Sequence, residues 1–176
     1  MTMWVFGYGS LLWNPGFDPA ETVIATLQEY HRSFCMHSIH HRGTEEAPGL
    51  VLALDAAWGA HCTGVAFRVA QAEEDRVLQY LRERELISSA YVEHHVTLDL
   101  ADGRAVEALA YVIDPDHVQY CGGMPLEEQA NIIAHAVGGR GPNTEYLFNT
   151  VSHIEELGLE DEDLTWLAAR VRQIVG

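Results

Sequence analysis

The chain has 176 residues, the length of one ordinary domain, and its 48% hydrophobic and 20% charged content is that of a globular protein with a sizeable core. Ten arginines stand against 26 acidic residues, and the net charge of −16 argues against general binding of DNA, RNA or anionic lipid. The sequence contains no lysine, which excludes Schiff-base chemistry and the lysine-dependent phosphate loop. We therefore expect a single domain over residues 1–176.

The first half of the chain is predicted to be rich in β-strands. A short buried strand is expected from Trp4 to Tyr8, ending at Gly9 and Ser10. The apolar run from Trp4 to Trp13 lacks a basic flank and is too short to span a bilayer, so we predict neither a signal peptide nor a membrane segment. Further strand candidates cover residues 22–28, 31–39, 49–55 and 61–69.

A β-hairpin is the clearest secondary-structure signal. Between residues 92 and 100 apolar positions such as Val96 and Leu98 alternate with polar ones such as Thr97 and Asp99. An Ala-Asp-Gly turn follows and leads into a second β-like run at residues 106–113. The pattern predicts two antiparallel neighbouring strands.

Helical spacing of apolar residues occurs mainly late in the chain. It predicts helices over 72–84, over 125–137 after a proline, and over 160–174. Another helix is predicted within 141–149, with Asn143 in the capping position. Because strands and helices do not alternate, we expect an α+β fold with a mostly antiparallel, barrel-like sheet and helices packed outside it.

The cysteines and histidines form no recognisable metal or disulfide pattern. Cys35, Cys62 and Cys121 are odd in number and far apart, which favours a reducing, cytoplasmic environment. Histidine pairs occur at 40–41 and 94–95, but neighbouring residues of a strand point to opposite faces, and the spacings HExxH and HxH are absent from the sequence. We therefore predict no metal site.

The segment WVFGYGSLLW at residues 4–13 is the most informative stretch of the sequence. A strand that runs into Gly-Tyr-Gly-Ser exposes backbone amides that side chains do not obstruct. Such a loop can bind an anion or a developing oxyanion. The alternative is a plain glycine-rich turn after a strand.

The run Arg82 to Glu85 closes the predicted helix 72–84. Glu85 is followed at once by the apolar Leu86 and Ile87, so its carboxyl can be half-buried, which raises the pKa of a carboxylic acid and makes a usable general base. The alternative is a solvated face with charge pairs. Tyr146, in the predicted helix after Asn143, is either a site residue or a core tyrosine.

Together these stretches resemble the ChaC-type gamma-glutamylcyclotransferases, the glutathione-specific branch of the gamma-glutamylcyclotransferase-like fold. The resemblance covers nearly the whole chain. It rests on VFGYGSLLW from residue 5, HRSFCMHSIHHRGTEEAPG at 31–49, the pair Arg84-Glu85, and PNTEYLFN at 142–149. It implies a small mixed β-barrel flanked by helices.

The resemblance also implies cleavage of glutathione to pyroglutamate (5-oxoproline) and Cys-Gly without a cofactor. The α-amino group of the γ-glutamyl unit attacks its own side-chain carbonyl, closes a lactam and expels the peptide amine. Glu85 is implied as the catalytic base that deprotonates the ammonium and then protonates the leaving amine. The implied substrate-binding residues are Val5, Phe6, Gly7, Tyr8, Gly9, Ser10 and Tyr146.

Two rival functions remain open at this point. The first is a cyclotransferase for γ-glutamyl amino acids or γ-glutamyl amines, and the second is a regulatory binding protein linked to cation transport. Arg32 and Arg42 are candidates for holding the Cys-Gly end of glutathione, and equally for structural ion pairs. The oligomeric state is not predicted.

Overall fold

A computed structural model describes residues 2–86 and 90–176 of the chain. They divide into two compact units. Unit 1 runs up to Arg32 and again from Leu54 to His117, whereas unit 2 comprises Ser33–Ala53 and Val118–Gly176. That the whole chain forms a single domain stays a prediction.

Five strands form a closed barrel in the order β1-β3-β2-β4-β5. β1 pairs antiparallel with β3 and parallel with β5, so the barrel is mixed, as the resemblance implies. Residues 33–38 of β2 and 49–53 of β3 belong to unit 2. The strands are β1 (Trp4–Gly7), β2 (Glu21–Ser38), β3 (Gly49–Arg68), β4 (Tyr91–Leu100) and β5 (Ala105–Ile113).

The core of unit 1 consists of apolar side chains from all five strands. Phe6, Leu54 and Leu98 are completely buried there, with the small Ala66 and Ala110 packed among them. Burial of such side chains is the main stabilising contribution to a small domain.

Two long strands replace four predicted shorter ones. The predictions 22–28 and 31–39 are one strand, β2, and 49–55 and 61–69 are likewise one strand, β3. In β2 the backbone of Glu29 takes a φ of 68°, and in β3 that of Gly59 takes 79°. Each left-handed residue interrupts the alternation of side chains without ending the strand.

The predicted hairpin is confirmed. β4 and β5 are antiparallel over their length, with Val96 opposite Ala108 and Leu98 opposite Val106. Gly103 in the connecting turn has a φ of 95°, which glycine adopts without a steric penalty.

Unit 1 contains the helix α1 (Glu74–Glu85), which follows a short 3₁₀ turn over Gln71–Glu73. Unit 2 contains a short ribbon, β6 (Val137–Gly138) with β7 (Gly141–Pro142), and three mutually packed helices. These helices are α2 (Leu126–His135), α3 (Asn143–Glu156) and α4 (Glu162–Val175). Within the described residues, every helix is too short or too polar to cross a membrane.

Candidate active site

The loop after β1 is the first part of the candidate site. After Tyr8 and Gly9 the chain enters a 3₁₀ turn, Ser10–Leu12. The carbonyl of Gly9 accepts from the amide of Leu12 at 2.9 Å, and the carbonyl of Ser10 accepts from the amide of Asn14 at 2.9 Å. The carbonyl of Tyr8 accepts from a guanidinium nitrogen of Arg32, also at 2.9 Å.

These carbonyl contacts fix the direction of the loop amides. In a trans peptide the C=O group and the N–H group that follows it point in opposite directions. The N–H groups of Gly9, Ser10 and Leu11 are therefore directed away from the donors that hold the preceding carbonyls. Successive N–H groups with this orientation are suited to binding an anionic oxygen.

Most side chains of the predicted binding loop belong to the protein core. Val5 and Phe6 are completely buried, and the hydroxyl of Tyr8 donates to the carbonyl of Tyr111 at 2.8 Å. A Cβ atom on Gly7 would lie 2.9 Å from the Phe67 ring, so this glycine is required for packing. Binding by these residues would therefore depend on the main chain.

Glu85 is the last residue of α1, and its side chain is 15% exposed. Burial raises the pKa of its carboxyl above the ordinary value, while the guanidinium of Arg84 acts in the opposite direction. A carboxylate at the C-terminal end of a helix is also disfavoured by the helix dipole. The predicted partial burial of Glu85 and the raised pKa of its carboxyl are thus confirmed, and its role as the base stays a prediction. Ile87, used in that prediction, lies outside the described residues.

Arg84 connects this carboxyl to the loop. One guanidinium nitrogen donates to the Ser10 hydroxyl at 3.0 Å, another to the Asn14 carbonyl at 2.6 Å, and the third lies 3.4 Å from a Glu85 oxygen. The sequence showed the pair Arg84-Glu85, but the contacts of Arg84 with Asn14 and Ser10, 70 and 74 positions away, were not predictable from spacing.

Glu93 is a second partly buried carboxylate in unit 1. Its environment lowers the pKa of its carboxyl, whereas that of Glu85 raises it. Arg82 donates to both of its oxygens at 3.1 and 3.0 Å, and the Tyr111 hydroxyl donates to one of them at 3.0 Å. The bond from Arg82 is the largest cause that lowers the pKa of Glu93. Glu93 is therefore a permanent anion at neutral pH, and Glu85 is the better proton acceptor of the two.

A cavity of about 330 Å³ lies elsewhere in unit 1. Its lining includes Trp4, Leu78, Arg82 and Glu93, but neither Glu85 nor any residue of Val5 to Ser10. It is therefore separate from the loop and carboxyl described above.

The two arginines proposed for the Cys-Gly end of glutathione lie in different environments. Arg32 is 2% exposed and donates to Tyr8 in unit 1. Arg42 belongs to unit 2, where one of its guanidinium nitrogens donates to the Pro142 carbonyl at 3.1 Å and lies 3.6 Å from a Glu145 oxygen. A role of either in substrate binding stays a prediction.

Tyr146 lies on α3 in unit 2, where its ring makes an edge contact with Phe34 at 5.9 Å between centroids. Its hydroxyl accepts from the amide of Leu52 at 3.1 Å, and the guanidinium of Arg42 lies 5.8 Å from the ring centroid. Tyr146 is thus held by the main chain of β3 and by the side chain of Arg42. Its placement near the substrate amine stays a prediction.

The predicted capping role of Asn143 is wrong. The residue that precedes α3 is Pro142, and Asn143 lies inside the helix with its side chain completely buried. Its amide oxygen accepts from the amide of Leu50 at 2.8 Å, and its amide nitrogen donates to the Leu50 carbonyl at 2.9 Å. The asparagine therefore satisfies two backbone groups of β3 rather than its own helix end.

We expect Asn143→Leu to lower the free energy of unfolding by about 2–4 kcal/mol, because it leaves a buried amide and a buried carbonyl unpaired. Chemical denaturation checks this value. Asn131→Leu is the matched control, since its exposed side chain bonds to Glu127, four residues earlier in the same helix, and it should change stability by less than about 1 kcal/mol. Equal losses in both variants would contradict the prediction.

The chain is similar in sequence to proteins that are named as enzymes. The glutathione-specific gamma-glutamylcyclotransferase of Escherichia coli (strain K12) is 38% identical over 173 residues, covering 98% of this chain and 74% of that protein. Gamma-glutamylcyclotransferase 2-3 of Arabidopsis thaliana is 36% identical over 181 residues, covering 99% and 91%. Glutathione-specific gamma-glutamylcyclotransferase 1 of Homo sapiens is 32% identical over 163 residues, covering 92% and 73%.

The fold has a solved counterpart. The crystal structure of a gamma-glutamylcyclotransferase specific to glutathione from yeast superposes with a TM-score of 0.86 over the whole of both chains, at 22% identity. This likeness confirms the predicted small barrel flanked by helices. The family described as ChaC-like protein matches residues 3–174. On this match, and on relatives that are similar over nearly its whole length, the chain is a member of the ChaC-like protein family.

Proposed function

We propose that this protein is a glutathione-specific gamma-glutamylcyclotransferase, a lyase that converts glutathione to 5-oxoproline and Cys-Gly. The names of its relatives in Escherichia coli and Homo sapiens support glutathione as the substrate. In the reaction the α-nitrogen of the glutamyl unit forms a bond to the γ-carbonyl carbon, and the bond from that carbon to the cysteine nitrogen breaks. The atoms of glutathione are divided between the two products, and no water is consumed.

This chemistry needs a base, because the glutamyl amine is an ammonium ion at neutral pH and has no lone pair with which to attack. The proton that the base removes is returned to the cysteine nitrogen as it leaves. One group with a pKa above that of an ordinary carboxyl serves both steps. Glu85 has this property, and it is the observation that carries the proposal.

The loop after β1 would bind the negative charge of the reaction. As the amine attacks, the carbonyl oxygen becomes an oxyanion, and oriented amides stabilise it more than water does, because they need no reorganisation. The amides of Gly9, Ser10 and Leu11 are already oriented by the carbonyl contacts of the loop. The attacking amine and the carbonyl belong to one molecule, so holding glutathione in a folded conformation supplies much of the remaining acceleration.

The experiment that tests the proposal is a comparison of substrates with the purified protein. We expect glutathione to be cleaved with a kcat/KM at least tenfold above that for γ-glutamyl-alanine, with 5-oxoproline as the glutamyl product. Preference for γ-glutamyl-alanine would favour the broader cyclotransferase. Binding of glutathione without any cleavage would favour the regulatory protein.

We expect Arg84→Gln to move the acidic limb of the kcat/KM profile to higher pH. The guanidinium lowers the pKa of the neighbouring Glu85 carboxyl, so its removal raises that pKa further, and the base then becomes protonated at a higher pH. Loss of the bonds to Ser10 and Asn14 should also lower kcat/KM about tenfold or more on the pH plateau.

Arg76→Gln is the matched control for this variant. Arg76 lies on the same helix, is largely exposed, and pairs with Glu73. Its removal should leave the pH profile of kcat/KM in place. An acidic limb that is identical in Arg84→Gln and the wild type would contradict a coupling between Arg84 and the base.

A further inference from the structure

Arg32 is a buried charged residue that contacts the loop after β1. It lies on β2 and is 2% exposed, and one of its guanidinium nitrogens donates to the carbonyl of Tyr8 at 2.9 Å. An arginine is rarely buried to this extent unless its donors are satisfied, because desolvating the charge is costly. One of those donors is directed at the peptide that joins Tyr8 to Gly9.

That peptide has two ends with different roles. Its carbonyl belongs to Tyr8 and its N–H belongs to Gly9, and in a planar trans peptide the two point in opposite directions. A bond that fixes the carbonyl therefore also fixes the N–H. Gly9 has no side chain to restrict the rotation of this peptide, so its orientation depends on an external contact.

We infer that Arg32 is a positioning residue that orients the Gly9 amide toward the substrate by holding the Tyr8 carbonyl. The inference rests on the proposed function, since it assigns the Gly9 N–H to the oxyanion or the carboxylate of the γ-glutamyl unit. It also replaces the expectation that Arg32 binds the Cys-Gly end, because a side chain 2% exposed that donates to the loop is occupied by the protein itself.

The tyrosine side chain does not duplicate this role. The Tyr8 hydroxyl donates to the Tyr111 carbonyl at 2.8 Å and so anchors the ring, but the peptide after Tyr8 can still rotate about the bonds on either side. Arg84 holds the later part of the loop, through Ser10 and Asn14. Arg32 thus acts on the first of the three amides, through the Tyr8 carbonyl.

The test compares Arg32→Met with Arg68→Met. Methionine keeps an apolar stem of similar volume and removes every donor, and Arg68 is a partly buried arginine of β3 that pairs with Glu21 at 3.0 Å. We expect Arg32→Met to lower kcat/KM for glutathione about 10²-fold, the effect of losing one oriented donor. Its acidic limb in the pH profile should be unchanged, since Glu85 and Arg84 keep their contacts. Arg68→Met should change kcat/KM less than threefold.

A spectroscopic measurement separates positioning from a structural role. In the Glu85→Gln variant, glutathione should bind without turnover and shift the Gly9 amide proton in a ¹H–¹⁵N spectrum. The shift should disappear when Arg32→Met is added. A folded Arg32→Met protein with a kcat/KM within threefold of the wild type, or with the Gly9 shift retained, overturns the inference.

If Arg32→Met does not fold, Arg32→Lys takes its place, because lysine keeps the buried charge but lacks the planar fork that reaches several acceptors. We expect a loss of at least tenfold in kcat/KM at an unchanged melting temperature, and a loss below threefold would overturn the inference. Failure of the proposed function looks different, since the wild-type protein would then release no 5-oxoproline from glutathione.

Discussion

Glu85→Gln is expected to lower kcat for glutathione cleavage by about 10²–10⁴-fold, the usual contribution of a general base. Glutamine keeps the shape of the side chain but cannot accept a proton from the ammonium. The other partly buried carboxylate of unit 1 described above, Glu93, is paired with Arg82 and Tyr111 and is a poor substitute. Steady-state kinetics of the purified variant measures the effect.

The control for this variant is Glu83→Gln, two residues earlier on the same helix. Glu83 is exposed and accepts from Gln79 at 3.3 Å, so the change should leave kcat within about twofold of the wild type. If Glu85→Gln retained more than a tenth of wild-type activity, the base would be another group.

Stability gives an independent check that Glu85→Gln is folded. Burial raises the folded-state pKa of Glu85 above its unfolded value, so the contribution of this group to stability is fully present below the unfolded pKa and is lost as the pH rises through the folded pKa. At neutral pH the wild type carries this cost and the glutamine variant does not. We therefore expect the variant to melt at or above the wild-type temperature at pH 7, and a large decrease would contradict the assigned burial.

Gly9→Val is expected to lower kcat/KM for glutathione by at least about 10²-fold. Gly9 is buried, and its N–H lies at the point where the substrate oxygen is proposed to approach. A branched side chain at this position would obstruct that approach. Kinetics and thermal melting of the same preparation measure both the activity and the folded fraction.

Ser10→Ala is the comparison for Gly9→Val. It keeps the backbone amides of Gly9 and Ser10 and removes only the side-chain hydroxyl that accepts from Arg84. Its kcat/KM should fall by less than tenfold. If Gly9 serves only the turn, Gly9→Val will unfold the protein instead. A folded variant that cleaves glutathione at the wild-type rate would disprove binding by the loop.

Local sequence patterns predicted the secondary structure that is determined by neighbouring residues in the chain. The β4–β5 hairpin follows from strict alternation and a glycine that accepts a positive φ. The break predicted within β2 was wrong because Glu29, which is not a glycine, adopts a left-handed conformation while the strand continues on both sides of it. Nothing in the local sequence marks such a residue, since a positive φ is uncommon for any residue other than glycine.

The candidate site was predictable only in part for the same reason. The half-buried state of Glu85 followed from its position at the end of an amphipathic helix, before an apolar residue. The bonds of Arg84 to Ser10 and of Arg32 to Tyr8 join segments that are distant in sequence, and a charged residue carries no local sign of its partner. The prediction for Asn143 failed because asparagine is typical of helix caps, whereas its side chain here bonds backbone groups of a strand that is distant in sequence.

The most direct test of the intramolecular cyclisation is the mass of the glutamyl product formed from glutathione in H₂¹⁸O. Attack by the substrate's own amine consumes no water, so we expect 5-oxoproline without ¹⁸O, released in equal amount with Cys-Gly and at a rate that falls at least about 10²-fold in Glu85→Gln. Glutamate carrying ¹⁸O would show that water, rather than the substrate amine, attacks the γ-carbonyl carbon, and would contradict the intramolecular cyclisation.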